Sequence, residues 1–473
     1  MLICVTLGAI LNPLAQGPAE TLPTAPSARS LAVGLGLAGA LIEGGLLLAL
    51  RLERPASHVP EFLAYYLLLS IAYFAACWIV IRWGERLTAL RSGRWIWAAA
   101  LLFRITVLPL DPSLSEDTAR YRWQGMVQHA GGDPYLALPQ DAEWESLRDS
   151  TWSRVAAKDK PSAYGPVLEQ LNLWTYRCVQ LWESEPWRQV WLFKFPFALA
   201  ELGVGLALMS LLAAAGRPPA WALIYLWSPL AVTEFWIEGH NDALGVAFVV
   251  AALALSLRGR STWALVLLTI ATLCKFWPAV LFPFLALTRS RDRWQVHWRG
   301  LALGGAVGVA LCLLYWRNIA VVLEVLEGFT MGWRNNDSLF AGLLWLAGGD
   351  MESAAGAGRW ILIACVAGLR WLRLPPCSGE LGAVTAVLLL SANCFPWYLS
   401  WMLPFLAVQP VRPLLLWTVL APLAYHVVPG YEATGTWEYD AGLVFLEYAP
   451  VLAWLGVLGI DRSRRLLHGL AGS

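Results

Sequence analysis

The sequence predicts an all-α polytopic membrane protein, and three observations predict it. The chain has 473 residues, 58% of them hydrophobic and 14% charged, where a soluble globular chain carries about 25% charged residues. The apolar residues run in long blocks rather than in alternation, and only helices or closed barrels satisfy the backbone in lipid. Many of the 28 tryptophans stand at block ends, such as Trp83, Trp95, Trp191, Trp236, Trp298 and Trp437, as an interfacial aromatic belt requires. A net charge of +1 argues against nucleic acid as a partner.

Residues 1–30 read as a disordered lead-in. Met1 to Pro13 is apolar but has no basic residue before Arg29, and Ala15 to Ser30 is rich in Pro, Ala and Ser. A single transmembrane domain over 31–460 follows, with about 11–13 membrane segments. Candidate spans are 31–50, 62–83, 95–110, 193–214, 219–236, 241–257, 299–316, 357–373, 380–396, 413–428 and 441–460. Short inner loops are enriched in Lys and Arg, so Arg82, Arg86, Arg91 and Arg94 put loop 82–94 inside and the long loop 111–190 outside. A single crossing over 261–288 would strand Arg289, Arg291, Arg293 and Arg299 outside. A hairpin that turns at Lys275-Phe276-Trp277-Pro278 keeps them inside, because proline disfavours helix at the preceding residue. The same argument predicts a second hairpin over 380–409, turning at Asn393 to Tyr398 and leaving Arg412 inside. Residues 461–473 then form a cytoplasmic tail. Arg51 and Arg54 fall outside, against the rule. In loop 111–190, the stretch 167–190 has the pattern of a helix lying on the membrane surface.

The eight cysteines form no CxxC pair and lie mostly in apolar blocks, so they read as small hydrophobes. The histidines show no HExxH spacing, hence no zinc signature.

Three groups can carry chemistry. Glu116 and Asp117 open the long loop directly after an apolar segment. A carboxylate beside an acceptor hydroxyl can act as general base; alternatively the pair simply complements a helix N-terminus capped by Ser115. On a helix starting there, Asp117 shares a face with Tyr121 and Gln124, and Glu116 lies near Arg120 and Trp123. Lys275 is one of four lysines in a chain with 34 Lys and Arg, and it sits in mid-block. A lysine at the bilayer centre costs roughly 2.5–3.5 kcal/mol, so it must face a cleft, a structural ion-pair partner or a ligand anion. Glu238-Gly239-His240-Asn241-Asp242 crowds polar groups at an outer turn one helical turn after Glu234; it is either a cleft wall or a solvated, capped turn. Weaker features on that side are Tyr164-Gly165-Pro166, Arg317 and Arg334, the arginines being suited to phosphate or to interface anchoring.

Glu116-Asp117-x-x-Arg120-Tyr121-x-Trp123-x-Gly125, followed by Asp133-Pro134-Tyr135, resembles the first outer loop of bacterial mannosyltransferases of the GT-C superfamily, the polyprenyl-phosphate-sugar-dependent α-1,6-mannopyranosyltransferase group. Tyr164-Gly165-Pro166, the Glu238–Asp242 turn and Lys275-x-x-Pro278 look like later motifs of that group in the same order. The resemblance covers roughly residues 95–410. It implies a GT-C-like bundle in a bacterial inner membrane that moves a sugar, by resemblance mannose, from a polyprenyl-phosphate donor to a glycan or glycolipid acceptor on the periplasmic face, with inversion. Asp117 would be the base and Glu116 its neighbour. Lys275, with His240 or Arg334, would meet the donor phosphate, and Arg120, Tyr121, Asn241, Asp242 and Tyr164 would line the substrate site. One departure from the pattern is Gln124, where an aspartate is expected, which bears on the sugar or the acceptor. The scheme requires no divalent metal, although the Glu-Asp pair could bind Mg²⁺ or Mn²⁺. A lipid-linked-sugar flippase or transporter is the alternative, since intramembrane charge and broken helices also mark transport pathways; it would call for inverted repeats, and the two halves show no convincing match.

Overall fold

A computed structural model describes residues 7–8, 10–11, 26–88, 92–290, 293–318, 320–372 and 374–471. The protein is an all-α polytopic membrane protein. Among the described residues, six helices are long and apolar enough to cross a membrane: Ala28–Leu52, Pro55–Thr88, Pro186–Ala214, Trp298–Tyr315, Arg412–Thr434 and Ala441–Arg462. The pair Pro219–Leu226 and Pro229–Ile237, bent by 56°, is a broken span or a re-entrant loop. Together they are fewer than the 11–13 segments expected, because proline and irregular turns cut several apolar blocks into shorter helices. Among these are Asp242–Leu257, Ser261–Thr272, Trp277–Ala286 and Ser378–Leu390. Expected spans 95–110 and 357–373 appear as helices Ser92–Val107 and Met351–Trp371.

The bend at 226–229 has an identifiable cause. Pro229 has no N–H to donate to the Tyr225 carbonyl four residues back, which accepts from Ser228 N at 3.1 Å, and the neighbouring Leu226 carbonyl accepts from Arg104 Nη1 at 2.8 Å. Arg104 also donates Nε to Glu201 Oε2 at 2.8 Å, and both side chains are fully buried. Trp236 Nε1 donates to the same Glu201 oxygen at 2.9 Å. Trp236 is thus a buried structural donor rather than part of the belt, and Trp191 likewise donates to the Leu108 carbonyl at 3.1 Å. Trp95 and Trp298 are exposed, as a belt requires.

Both expected hairpins are present in outline. Helix Ser261–Thr272 ends in a turn at Lys275, and the chain returns through Trp277–Leu281 and Phe282–Ala286, packed back against the first arm. Ser378–Leu390 turns at 391–395 and returns through Pro396–Trp401 and Leu403–Val408. The first hairpin carries an addition that the all-helical reading lacks: strands Leu287–Ser290 and Arg293–Val296 pair antiparallel, Leu287 opposite Val296. Helix Trp298–Cys312 lies against Ser261–Thr272 through small residues. A Cβ on Gly300 would stand 2.6 Å from Leu265 Cδ1, and one on Gly304 would stand 2.7 Å from Thr269 Oγ1, the close approach that small-residue interfaces permit in membranes.

Arginine-rich turns gather at one end of the bundle. Arg217 donates to Gln409 at 3.1 Å, and Arg289 and Arg370 flank Trp294 of the hairpin. At the other end, Asp111 N donates to Glu53 O at 3.2 Å, and Arg54 pairs with Glu432. Arg54 therefore belongs to the same end as the long loop, held there by acidic partners despite its charge.

Most of the expected lead-in 1–30, Cys4 included, lies outside the described residues, as do Arg91 and Arg291. Of its described parts, Leu7, Ile10 and Leu11 are buried, and the first span begins at Ala28. The last helix continues through the expected tail to Ala471. Cys365 is disulfide-bonded, contrary to the reading of the cysteines as simple hydrophobes; spacing gave no signal for it. Cys77, Cys178, Cys274, Cys312, Cys377 and Cys394 are free.

Candidate active site

The long loop is fastened to the bundle by the motifs that the sequence singles out. Glu238 accepts backbone N–H groups from Ser113 at 3.2 Å and Ser115 at 3.0 Å, which fixes the strand of loop leading to Asp117. Asp117 opens helix Asp117–His129. Gly165 donates its N–H to Cys274 O at 3.3 Å, and a Cβ there would lie 2.0 Å from Leu273 O. Only glycine lets this loop sit on the hairpin tip beside Lys275. Gly239 has φ +70°, and a Cβ on it would be 2.9 Å from Lys194 Cα, so the Glu238–Asp242 turn also depends on glycine. The residues before that turn, Thr233–Ile237, form a π-helix, a distortion that recurs at functional sites.

These contacts bring together side chains from four segments. Tyr121, one turn after Asp117, donates its hydroxyl to Asp117 Oδ2 at 2.9 Å. His240 Nδ1 is 3.4 Å from the same oxygen, and His240 Nε2 is 3.3 Å from Glu234 Oε2. Tyr425 donates to Glu234 Oε2 at 2.8 Å. The imidazole stacks on Trp397 with centroids 4.0 Å apart. Beside it, Lys275 Nζ donates to Asp242 Oδ2 at 2.7 Å and lies 4.8 Å from the Tyr398 ring centre. Trp401 Nε1 holds the other Asp242 oxygen at 2.6 Å. Tyr164 packs edge-on against Tyr121. His240, Glu234 and Asp242 have fully buried side chains, whereas Asp117 and Lys275 keep 21% and 17% of theirs exposed. One carboxylate and one cation are therefore the part-exposed charges of an otherwise buried cluster.

The electrostatics favour an ionised Asp117. Burial alone would raise its pKa, but the contact and charge of His240, the Lys275 charge and the Tyr121 hydroxyl together hold it below the usual carboxylate range. For His240 burial opposes the charge, but Asp117, Glu234 and Glu238 outweigh it, and the imidazolium is favoured. Glu116 behaves differently. Burial raises its carboxyl above the usual range despite the hydrogen bond from Tyr431 and the charges of Lys158 and Arg154. Its Oε2 accepts from the Tyr431 hydroxyl at 3.1 Å, and it lines a separate cavity of about 470 Å³ with Arg154, Lys158 and Trp437. The two adjacent carboxylates thus face different partners.

Two residues read as substrate ligands are engaged elsewhere. Arg120 is buried and donates to the carbonyls of Ala156, Ala157 and Lys160 at 2.7–3.0 Å, so it pins the loop. In the amide orientation that satisfies both groups, Gln124 accepts from Arg120 at 2.9 and 3.0 Å. Gln124 thus stands as a neutral partner of that arginine where the resemblance calls for a carboxylate. Arg334 pairs with Asp337 three residues on. The aromatic residues Tyr398, Trp397, Trp401 and Tyr425 are additions to the site that the sequence reading passed over; the first three had a signal in the dense aromatic run at the second hairpin turn, and Tyr425 had none.

Residues 27–291 match the family described as alpha-(1->6)-mannopyranosyltransferase, N-terminal domain. The alpha-(1->6)-mannopyranosyltransferase A of Mycobacterium tuberculosis is 24% identical over 345 residues, covering 66% of this chain and 64% of the relative. The match thus spans less than two thirds of that relative's length. No solved structure matches the chain.

Proposed function

The chain belongs to the alpha-(1->6)-mannopyranosyltransferase family, and on that premise we propose that it is a membrane glycosyltransferase, a mannosyltransferase that draws on a polyprenyl-phosphate sugar. The relative's printed activity supports the sugar. The observation that carries the mechanism is the pair of part-exposed charges, Asp117 and Lys275, in one buried cluster. Asp117 takes the proton of an acceptor hydroxyl as that oxygen attacks C1. The C1–O bond to phosphate breaks with inversion, and the electron pair leaves with the polyprenyl phosphate. Lys275 stabilises the charge developing on that phosphate, an interaction strengthened where water is scarce. His240 and Tyr121 keep Asp117 ionised and oriented. The acceptor is a glycan or glycolipid, and the polyprenyl tail stays in lipid between helices. Arginine enrichment at the opposite end of the bundle supports an active site on the periplasmic face of the bacterial inner membrane. On the same reading, 31–460 acts as one membrane domain with 111–190 as its catalytic loop, and no metal takes part in the step.

The test is transfer from radiolabelled polyprenyl-phosphate mannose in membranes that contain the wild type or Asp117→Asn, with and without EDTA. Labelled product from the wild type alone, indifferent to EDTA, is expected. Equal product from Asp117→Asn would remove Asp117 as the base. The bent pair at 219–237 favours a flippase, and translocation of the labelled lipid without transfer would select that alternative.

A further inference from the structure

Glu234 takes no part in the proposed step, yet it is the second carboxylate beside the imidazole that meets Asp117. The backbone brings it there. Thr233–Ile237 is wound as a π-helix, with Glu238 N donating to Thr233 O at 3.0 Å, and the turn closes with His240 N donating to Glu234 O at 2.8 Å. The two side chains then meet, His240 Nε2 standing 3.3 Å from Glu234 Oε2, and both are fully buried.

Little in this arrangement serves the scaffold. Tyr425 donates to Glu234 Oε2 at 2.8 Å, and among the described residues Oε1 has no hydrogen-bond partner. No lysine or arginine among them pairs with Glu234. A buried carboxylate so sparsely satisfied costs stability. Glu201 shows how the same bundle treats one that only holds it together, with donors from both Arg104 and Trp236.

What Glu234 does settle is the state of His240. Trp397 stacks on the imidazole with the planes 19° apart, which fixes the plane of the ring but not which nitrogen carries hydrogen. In an imidazole the partner of one nitrogen sets the state of the other. Both nitrogens here face carboxylate oxygens, Nδ1 being 3.4 Å from Asp117 Oδ2, and a bare nitrogen against an ionised carboxylate sets lone pair against lone pair. A proton in the Nε2–Oε2 contact, on nitrogen or on oxygen, leaves Nδ1 its own hydrogen to present to Asp117. A neutral acceptor at position 234 would instead draw the single proton of an imidazole to Nε2 and leave Nδ1 bare. Around the pair, Glu238, Asp242, Lys275, Tyr66 and Tyr425 are the other titratable groups whose charge bears on Glu234, His240 or Asp117 among the described residues.

We propose that Glu234 is a positioning residue of the transfer step: it holds His240 in the form whose Nδ1–H faces Asp117, and so acts on the base through the imidazole. The assignment rests on the transferase reading above and adds to it the residue that governs the histidine.

Two measurements test it. In the first, the acid limb of kcat/KM is followed in the wild type, Glu234→Gln, His240→Gln and the double variant. An Nδ1–H favours the ionised form of Asp117, so Glu234→Gln should move the limb to higher pH by about one unit and leave the donor KM close to wild type. In the His240→Gln background the same substitution should move it no further, because its effect passes through the ring. A Glu234 that only fastened its turn would lower the rate by one factor at every pH. An unmoved limb, or an equal movement in the His240→Gln background, overturns the assignment. The second measurement needs no turnover. Nitrogen-15 NMR of the full chain in nanodiscs, labelled at histidine, reads the His240 ring, whose signals are those missing from His240→Gln. Above the acid limb, Nδ1 should be protonated in the wild type and bare in Glu234→Gln. A bare Nδ1 in the wild type overturns the assignment even if Glu234→Gln does not fold. A wild type with protonated Nδ1 that transfers nothing would count against the transferase reading and leave the coupling of Glu234 to His240 standing.

Discussion

Lys194 and Lys275 are two lysines in apolar surroundings, and the difference between them separates scaffold from site. Lys194 is fully buried and gives its ammonium to the carbonyls of Leu108 at 3.0 Å and Leu110 at 2.8 Å. Those carbonyls lie where helix Ser92–Val107 ends, and a cation there is favoured by the helix dipole. Lys275 keeps part of its surface open, and its partner is the carboxylate of Asp242, with aromatic rings around it. Lys194 gives two of its three donors to backbone carbonyls and is sealed from any ligand, whereas a part-exposed lysine held by a side-chain carboxylate can turn toward an arriving phosphate. The carboxylates divide the same way. Glu201 is locked to Arg104 with no exposure, and Asp117 is part-exposed beside an imidazole.

The sharpest way to break this division is at Asp117. Asp117→Asn keeps the shape and still accepts the Tyr121 hydroxyl, but removes the base. Transfer should fall by about a thousandfold, within the range that general-base catalysis supplies, while thermal stability stays close to wild type. Full turnover in this variant would dissolve the distinction on the functional side.

The scaffold side is tested at Arg104. Arg104→Met leaves Glu201 buried with only Trp236 as a side-chain donor and frees the Leu226 carbonyl. It should cost roughly 3–5 kcal/mol of stability, read as loss of folded protein in a thermal scan. Adding Glu201→Leu should recover most of that loss, because a buried pair replaced whole by apolar groups is often neutral. A double variant no more stable than the single one would show that the pair does more than satisfy itself.

The two lysines can then be compared directly. Lys275→Ala should raise the donor KM by about tenfold or more, as expected for a lost charge-assisted contact to phosphate of roughly 1.5–3 kcal/mol. Lys194→Met should lower stability by about 1–3 kcal/mol, because the Leu110 carbonyl loses its donor while Leu108 keeps that of Trp191, and leave the donor KM within about twofold of wild type. The reverse pattern would exchange their roles.

Where the sequence was legible follows the same line. Apolar blocks and arginine placement located both hairpins and the Arg-rich end, because insertion energetics act on composition over many residues. Glu238, Gly239, His240 and Gly165 were visible as motifs, since tight turns and close backbone approach demand particular residues. Arg104–Glu201 was not visible: the two lie 97 positions apart in blocks that read as uniformly apolar, and only packing joins them. The partners of Arg120 and Arg334 were hidden for a related reason. A motif supplies a residue's neighbours in sequence but not the carbonyls or carboxylates that claim its donors. The bend at Pro229 had its signal in the proline, which the reading of 219–236 as one span passed over, and the strand pair 287–296 is a short local hairpin that a search for apolar helical blocks does not register.

The smallest effect, and the most discriminating, concerns how Asp117 is kept ionised. Burial pushes its carboxyl up, and His240, Lys275 and Tyr121 push it down by more. Activity that needs the ionised form should therefore persist on the acid side below the usual carboxylate range, and fall only once Asp117 takes up a proton. His240→Gln removes the first of the groups that oppose burial while leaving Lys275 and Tyr121 in place. The acid limb of kcat/KM against pH should then move to higher pH, and the plateau rate should fall much less than in Asp117→Asn. A histidine that served only to fill the space against Trp397 would lower the rate by the same factor at every pH and leave the limb where it was. An unmoved limb would pass the control of Asp117 to Lys275, and the limb in Lys275→Ala would then be the one to shift.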